Sequence, residues 1–238
     1  MKNIKNEHGK VVFRKFSDEE NEVWRILSQR QLENLKESAS KLREEGWELL
    51  PMDTSKVPDF AALSEKLKSL TGWEIGLALS QYEDTDTWAR GLANKQMRIT
   101  QFIREKKDLD YTPLPDMFHD AFGHIPFLAI PQYARISEKF GKAMVNAKTP
   151  EEQARIANHY WHTFEFGLIK ENGKIKALGT ELMSSSGELK HALSDNVDKL
   201  LYDVDAVDKF DRSAHEFHKQ LFVLDNLDQI EKVVDQWL

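Results

Sequence analysis

Residues 117–128, MFHDAFGHIPFL, place two histidines five positions apart in an otherwise apolar run. The path of the backbone between them decides how the chain is built. An α-helix completes a turn every 3.6 residues, so a five-residue step rotates through about 500° and would point His119 and His124 apart. Gly123 is the residue type expected just past a helix end, and Pro126 follows promptly. The expectation is a helix that begins near Asp116, breaks after Phe122 and swings His124 back toward His119.

Upstream, Ser17 and Glu20 form a capping-box pattern, and Val23, Ile26, Leu27 and Leu35 recur at helical spacing, predicting one long amphipathic helix that ends at Gly46. Pro58 and Asp59 open a second helix to about Leu70, before Gly72. Ile75, Leu77 and Leu79 then alternate as in a strand, a short helix follows, and Met97 to Arg104 alternates again. Downstream, Thr149, Pro150 and Glu152 start a helix reaching about Glu165, with Gly167 beyond. Asn172-Gly173 is the signature of a tight hairpin between LIKE and KIKAL. Helices are expected near 185–193, 204–217 and 226–237, with a short apolar strand, LFVLD, before the last. The fold class is mainly α with a few short β-strands.

The whole chain has 238 residues, 40% of them hydrophobic, with 13 Phe and 6 Trp, enough for a substantial core. No repeat or Gly/Ser-rich linker divides it, so one domain over 1–238 is expected, with 1–16 as an N-terminal arm. The net charge of −7, spread along the length, argues against a nucleic-acid partner. The opening MKNIKNEHGKVVFRKF lacks the apolar run of a signal peptide, and no stretch reaches 18 apolar residues, so a cytoplasmic protein without a membrane span is expected. With no cysteine, any transition metal must be held by His, Asp, Glu or water.

A carboxylate would complete a site with the two histidines. Glu165 is the candidate, because it stands in the aromatic stretch YWHTFEFGL, where an unpaired charge is costly. Two imidazoles and one carboxylate form the facial triad of non-haem iron(II) oxygenases, but the same set can hold catalytic zinc with a bound water. Spacing alone does not choose between them. It also leaves open histidines that merely cap or hydrogen-bond within a core, and a glutamate paired with a distant Lys or Arg.

Four stretches carry a resemblance: TQFIR (100–104), YTPLPDMFHDAFGHIPFL (111–128), YWHTFEFGLIK (160–170) and LMSSSGELKHAL (182–193). Together they resemble the core motifs of the pterin-dependent aromatic amino acid hydroxylases. The likeness extends from WRILSQRQ (24–31) and DFAALSEKLKSLTGW (59–73) to LFVLDNLDQI (221–230), and is nearest the compact bacterial phenylalanine 4-hydroxylases. It implies the single catalytic domain of that family, with neither a regulatory nor a tetramerising segment, and hence a monomer. It also implies ring hydroxylation of an aromatic amino acid, foremost phenylalanine to tyrosine, with Fe(II), a tetrahydropterin and O₂, its partners being these small molecules.

The resemblance further implies that His119, His124 and Glu165 are the iron ligands and the catalytic centre, and that Arg104 holds the substrate carboxylate. Thr112, Ser184 and Ser185 fall at neighbouring substrate positions, and Pro115, Tyr160, Trp161 and Phe166 line the ring pocket. Trp161 is tryptophan in phenylalanine hydroxylases, where tryptophan hydroxylases are similar but carry phenylalanine; Val223 matches a position that tunes substrate choice. Trp88 falls where a pterin-stacking aromatic stands, and Asp120 where an acid lies near the cofactor. Three departures bear on specificity: Leu114 in place of a glutamate, GLALSQYEDTDTW without the usual Pro-Gly-Leu turn, and Glu181 in place of a glycine. Glu181 is expected to turn toward solvent. Its charge, and the run GELKHALS, keep tryptophan or another ring position as the alternative, with a zinc hydrolase using Asp120 as base as a rival of another class.

Overall fold

A computed structural model describes residues 13–78, 80, 83–110, 114–210, 212 and 217–238. Ser17 closes the capping box at the start of α1 (Asp18–Leu35), accepting from the Glu20 N–H while Glu20 takes the Ser17 N–H. The helix stops at Leu35 instead of continuing to Gly46. Ser38 and Ser40 bond through their backbones to Ala177, and Ser40 caps a separate helix, α2 (Lys41–Leu49). Gly46 lies inside α2 because its bare Cα faces α5 (Ile125–Leu128), where a Cβ would come 2.0 Å from the Pro126 carbonyl oxygen. A close approach, not a terminus, explains that glycine.

Asp59 caps α3 (Phe60–Thr71), which ends at Gly72 with a φ of 79°. Two short parallel strands, β1 (Glu74–Leu77) and β2 (Gln96–Ile99), flank α4 (Thr85–Ala93). Leu79 lies outside the described residues. The alternation expected up to Arg104 ends at Ile99, because the Arg104 N–H is given to the Asp116 carboxylate and not to a ladder. Next in the chain come α6 (Pro131–Asn146) and α7 (Pro150–Tyr160), the latter capped by Thr149 through the Glu152 N–H.

β3 (Leu168–Glu171) and β4 (Lys174–Ala177) form the expected hairpin, with positive φ at Asn172 and Gly173. With β5 (Asp198–Leu201) and β6 (Gln220–Leu224) they make a sheet in the order β4-β3-β6-β5, in which β6 runs parallel to both neighbours. Between β4 and β5 lie α8 (Thr180–Ser184) and α9 (Ser186–Leu193).

The helix expected over 204–217 is only α10 (Val204–Val207). Asn158 donates to the carbonyls of Val207 and Phe210, and the Asp208 carboxylate is taken by Arg155 and His159, so the backbone turns away there. Residues 211 and 213–216 lie outside the described set. The chain ends in α11 (Leu227–Val234), packed on α6. One continuous apolar cluster, including Trp24, Phe118, Phe122, Tyr133, Phe140 and Phe164, joins these elements. Among the described residues no helix is long and apolar enough to cross a membrane.

Candidate metal centre

The chain between the two histidines does not break. From His119 to His124 the helix widens to the π form, in which each N–H reaches back five residues. A five-residue step then takes the place of the usual four, and the two imidazoles come onto one face. Gly123 sits inside this wide turn for a reason of space: a Cβ there would lie 2.8 Å from the Thr180 carbonyl oxygen. The expected helix stop is thus replaced by a change of pitch.

Glu165 closes a second wide turn, Trp161–Glu165, that continues α7; the Phe166 N–H bonds the Trp161 carbonyl five residues back at 2.9 Å. The turns bring His119 Nε2 and His124 Nε2 to 3.2 Å, with Glu165 Oε2 3.7 Å from the first and Oε1 3.5 Å from the second. Ligand atoms about 2.1 Å from an ion at right angles to one another would be separated by about 3.0 Å, so the three fit one face of a metal coordination sphere. All three residues are buried. The donor set, two imidazoles and one carboxylate with no thiolate, suits iron(II).

Neighbouring side chains contact each ligand. Thr180 donates its hydroxyl to Glu165 Oε2 at 2.5 Å, and its oxygen lies 3.3 Å from His124 Nε2. His119 Nδ1 faces Ser184 Oγ at 2.9 Å and Glu181 Oε2 at 2.8 Å. Glu181 therefore turns inward, contrary to the expectation of a solvent-facing side chain, because a buried imidazole N–H offers it a better partner than water.

The charges respond accordingly. Burial raises Glu165 to about 7, against the opposing pull of His119 and Thr180. Burial also works against protonated His119, but Glu181, Glu165 and Asp120 together raise it to about 10. His124 is driven down by burial and by its neighbour, and stays neutral.

Arg104 is buried and forked onto Asp116, with Nε at 2.8 Å from Oδ2 and one terminal nitrogen at 2.9 Å from Oδ1. Asp116 also accepts the backbone N–H groups of Arg104 and His119, tying the arginine to the start of the first wide turn. Burial pushes Asp116 up, yet the guanidinium outweighs it and holds the carboxyl below its usual range.

The other expected site residues are distributed as follows. Trp161 donates its indole N–H to His218 at 3.2 Å and packs at 4.7 Å on Phe166. Ser184 is committed to His119, and Ser185 caps α9. Val223 is buried in β6, opposite Leu168. Tyr160 is fully enclosed, packed edge-on by Trp88 and Phe140. Trp88 and Tyr160 thus contact each other, although one is expected at the pterin and the other at the amino acid. Asp120 is buried, accepts the Thr100 N–H at 2.8 Å, and is raised by burial to about 6. Pro115 is exposed, and Thr112 lies outside the described residues.

Thr180, Asp116 and His218 were not singled out from the sequence. Asp116 had a signal in its place directly before the histidine helix; Thr180 and His218 reach their partners over tens of residues, and no local pattern marks them.

The chain matches, over residues 3–238, the family model described as biopterin-dependent aromatic amino acid hydroxylase. It is 35% identical over 217 residues to phenylalanine-4-hydroxylase of Chromobacterium violaceum, covering 91% of this chain and 73% of that protein. The Mesorhizobium japonicum phenylalanine-4-hydroxylase is also 35% identical, with coverage of 90% and 78%. Among solved structures, the apo phenylalanine hydroxylase of Colwellia psychrerythraea superimposes with a TM-score of 0.90 at 30% identity, covering 98% of this chain and 90% of the other. The C. violaceum enzyme with bound iron(III) and 7,8-dihydrobiopterin gives 0.88 at 34% identity, covering 93% and 81%. With its histidine pair and glutamate converging as a metal-binding face, the chain belongs to the biopterin-dependent aromatic amino acid hydroxylase family.

Proposed function

We propose that the protein hydroxylates L-phenylalanine to L-tyrosine, with iron(II) held by His119, His124 and Glu165 and a tetrahydropterin as reductant. The observation that carries this reading is the convergence of those three buried side chains within 4.8 Å in a chain of this family. When bound, iron and pterin supply the electrons that divide O₂, one oxygen atom entering the ring and the other leaving with the pterin.

The protein's own residues contribute geometry and exclusion of water. The two wide turns hold three ligands on one side and leave the opposite side for O₂ and substrates. Arg104, held by Asp116 through Nε and one terminal nitrogen, anchors the amino-acid carboxylate in this reading. In this reading Trp161, Phe166 and Val223 supply an apolar wall for a planar ring, with Pro115, Ser184 and Ser185 contributing to the substrate pocket. Trp88 and Asp120 mark the pterin side. The His218 that receives the Trp161 N–H is lowered by burial to about 4, so it remains a neutral acceptor and fixes the indole plane. In this reading the protein acts as a cytoplasmic monomer on these small molecules.

The test is product analysis by mass spectrometry after incubation with ferrous iron, tetrahydropterin, O₂ and either phenylalanine or tryptophan. Tyrosine formed from phenylalanine is the expected result. Hydroxytryptophan without tyrosine would overturn the substrate assignment, and no pterin-dependent O₂ uptake with either would overturn the reaction.

A further inference from the structure

We propose that Glu181 is a positioning residue for the metal: it holds the Nδ1 proton of His119, and so fixes which nitrogen faces the ion and how strongly it donates. The proposal rests on the reading of His119 as a ligand.

An imidazole has two nitrogens and, when neutral, one proton. For Nε2 to present a lone pair to a metal, the proton must sit on Nδ1, and whatever accepts it sets the tautomer and the ring orientation. Two groups compete for that proton. Ser184 Oγ is 2.9 Å away and, with its own proton given to the Glu181 carbonyl oxygen at 3.2 Å, keeps a lone pair for the imidazole N–H. Glu181 Oε2 is closer, at 2.8 Å, and a carboxylate oxygen is a stronger acceptor than a hydroxyl oxygen.

Position 181 delivers this group because α8 starts at Thr180 and packs directly across the first wide turn. Thr180 touches Glu165 and His124, and the next residue touches His119, so one helical turn braces all three ligands. The Glu181 side chain is 30% exposed on a helix whose other residues are all buried.

A carboxylate behind a metal-bound imidazole raises the basicity of the ligand, and removing such a partner typically costs 10–100-fold in metal affinity. It also adds negative charge beside the ion, favouring the higher oxidation state. The glycine expected at this position could do neither.

The experiment is titration of the metal-free full-length protein with Co(II), followed by its visible absorption bands, for the wild type and for E181A, E181Q, S184A and H119A. Circular-dichroism melts of the same metal-free samples select the variants that fold. E181A should weaken Co(II) binding about tenfold or more and shift the bands, whereas E181Q, which keeps an oxygen on the Nδ1 proton without the charge, should recover part of the loss. S184A should lose less than E181A. If E181A binds within about twofold of wild type with unchanged bands while H119A loses binding, the proposal is overturned and the ligand reading stands. If H119A itself binds Co(II) as the wild type does, the ligand reading falls and this inference falls with it. For folded variants, equal losses in E181A and E181Q would also overturn it, because a proton acceptor would then be irrelevant.

Discussion

Glu165 and Glu231 are the same amino acid in opposite surroundings. Glu165, in the interior, meets a threonine hydroxyl and two imidazoles, and burial lifts it to about 7. Glu231, on α11, is clamped to α6 by Arg135, Lys139 and Gln132, and the Arg135 hydrogen bonds foremost lower it to about 2. The direction of the shift separates a carboxylate whose cation partners outweigh its slight burial from one whose full burial outweighs the pull of its neighbouring imidazole. A glutamate of the second kind, facing two histidines, is a site prepared for an ion supplied from outside.

The largest effect should come from removing the interior member. E165A is expected to lose more than the 10–100-fold that a residue merely supporting a ligand would cost, read by Co(II) or Fe(II) titration, while E231A leaves metal affinity unchanged. Comparable losses from the two variants would erase the distinction. Next, D116A should destabilise the fold by about 3–5 kcal/mol in urea unfolding, because Arg104 stays buried without its partner. A cost below about 1 kcal/mol would place this pair with the surface ion pairs instead.

A smaller effect tests the wide turn directly. G123A pushes a methyl group to 2.8 Å from the Thr180 carbonyl oxygen and should cost about 1–3 kcal/mol with weaker metal binding. In G187A the added carbon meets only Phe217 at 3.6 Å, and the metal affinity should not change. The smallest effect belongs to the α6–α11 clamp. The folded-state pKa of Glu231 lies below its ordinary value of 4.5, so its contribution is present above 4.5 and is lost as pH falls toward about 2. E231Q should therefore remove about 1 kcal/mol at neutral pH and flatten the acid limb of the stability curve, measured by thermal melts across that window.

The legibility of the sequence followed the range of the forces involved. The Ser17 capping box, the Asp59 cap, the Thr149 cap and the Asn172-Gly173 turn are decided within four residues, and all were readable. The helix α6 carries equally local signals, with Pro131 in its first turn and Tyr133, Ile136, Phe140 and Met144 buried at helical spacing. The gap between α1 and α2 was not readable, because it depends on backbone bonds to Ala177.

In the site, composition and context mark His119, His124 and Glu165 as candidates, and the family motifs distinguish among their roles. Their convergence was right but its mechanism was not: Gly123 and Pro126 suggest a stop, whereas the backbone widens its pitch, which no pairwise spacing rule encodes. The orientation of Glu181 escaped for a similar reason. A charged residue at the start of a short helix defaults to solvent unless a buried donor waits for it, and that donor lies 62 positions away, at His119.

The widened turn at 119–124 has a consequence beyond the imidazoles. On a regular helix a four-residue step would align two histidines nearly as well, so the fifth residue is surplus to their alignment. What it changes is the angular phase of everything downstream, by about 100° and 1.5 Å per residue. That offset aims Pro126 at the bare Cα of Gly46 and lets α5 nest into α2. Shortening the segment by one residue would keep the histidines aligned while driving α5 out of its groove, so the count between them is fixed by a packing seam outside the ligand set.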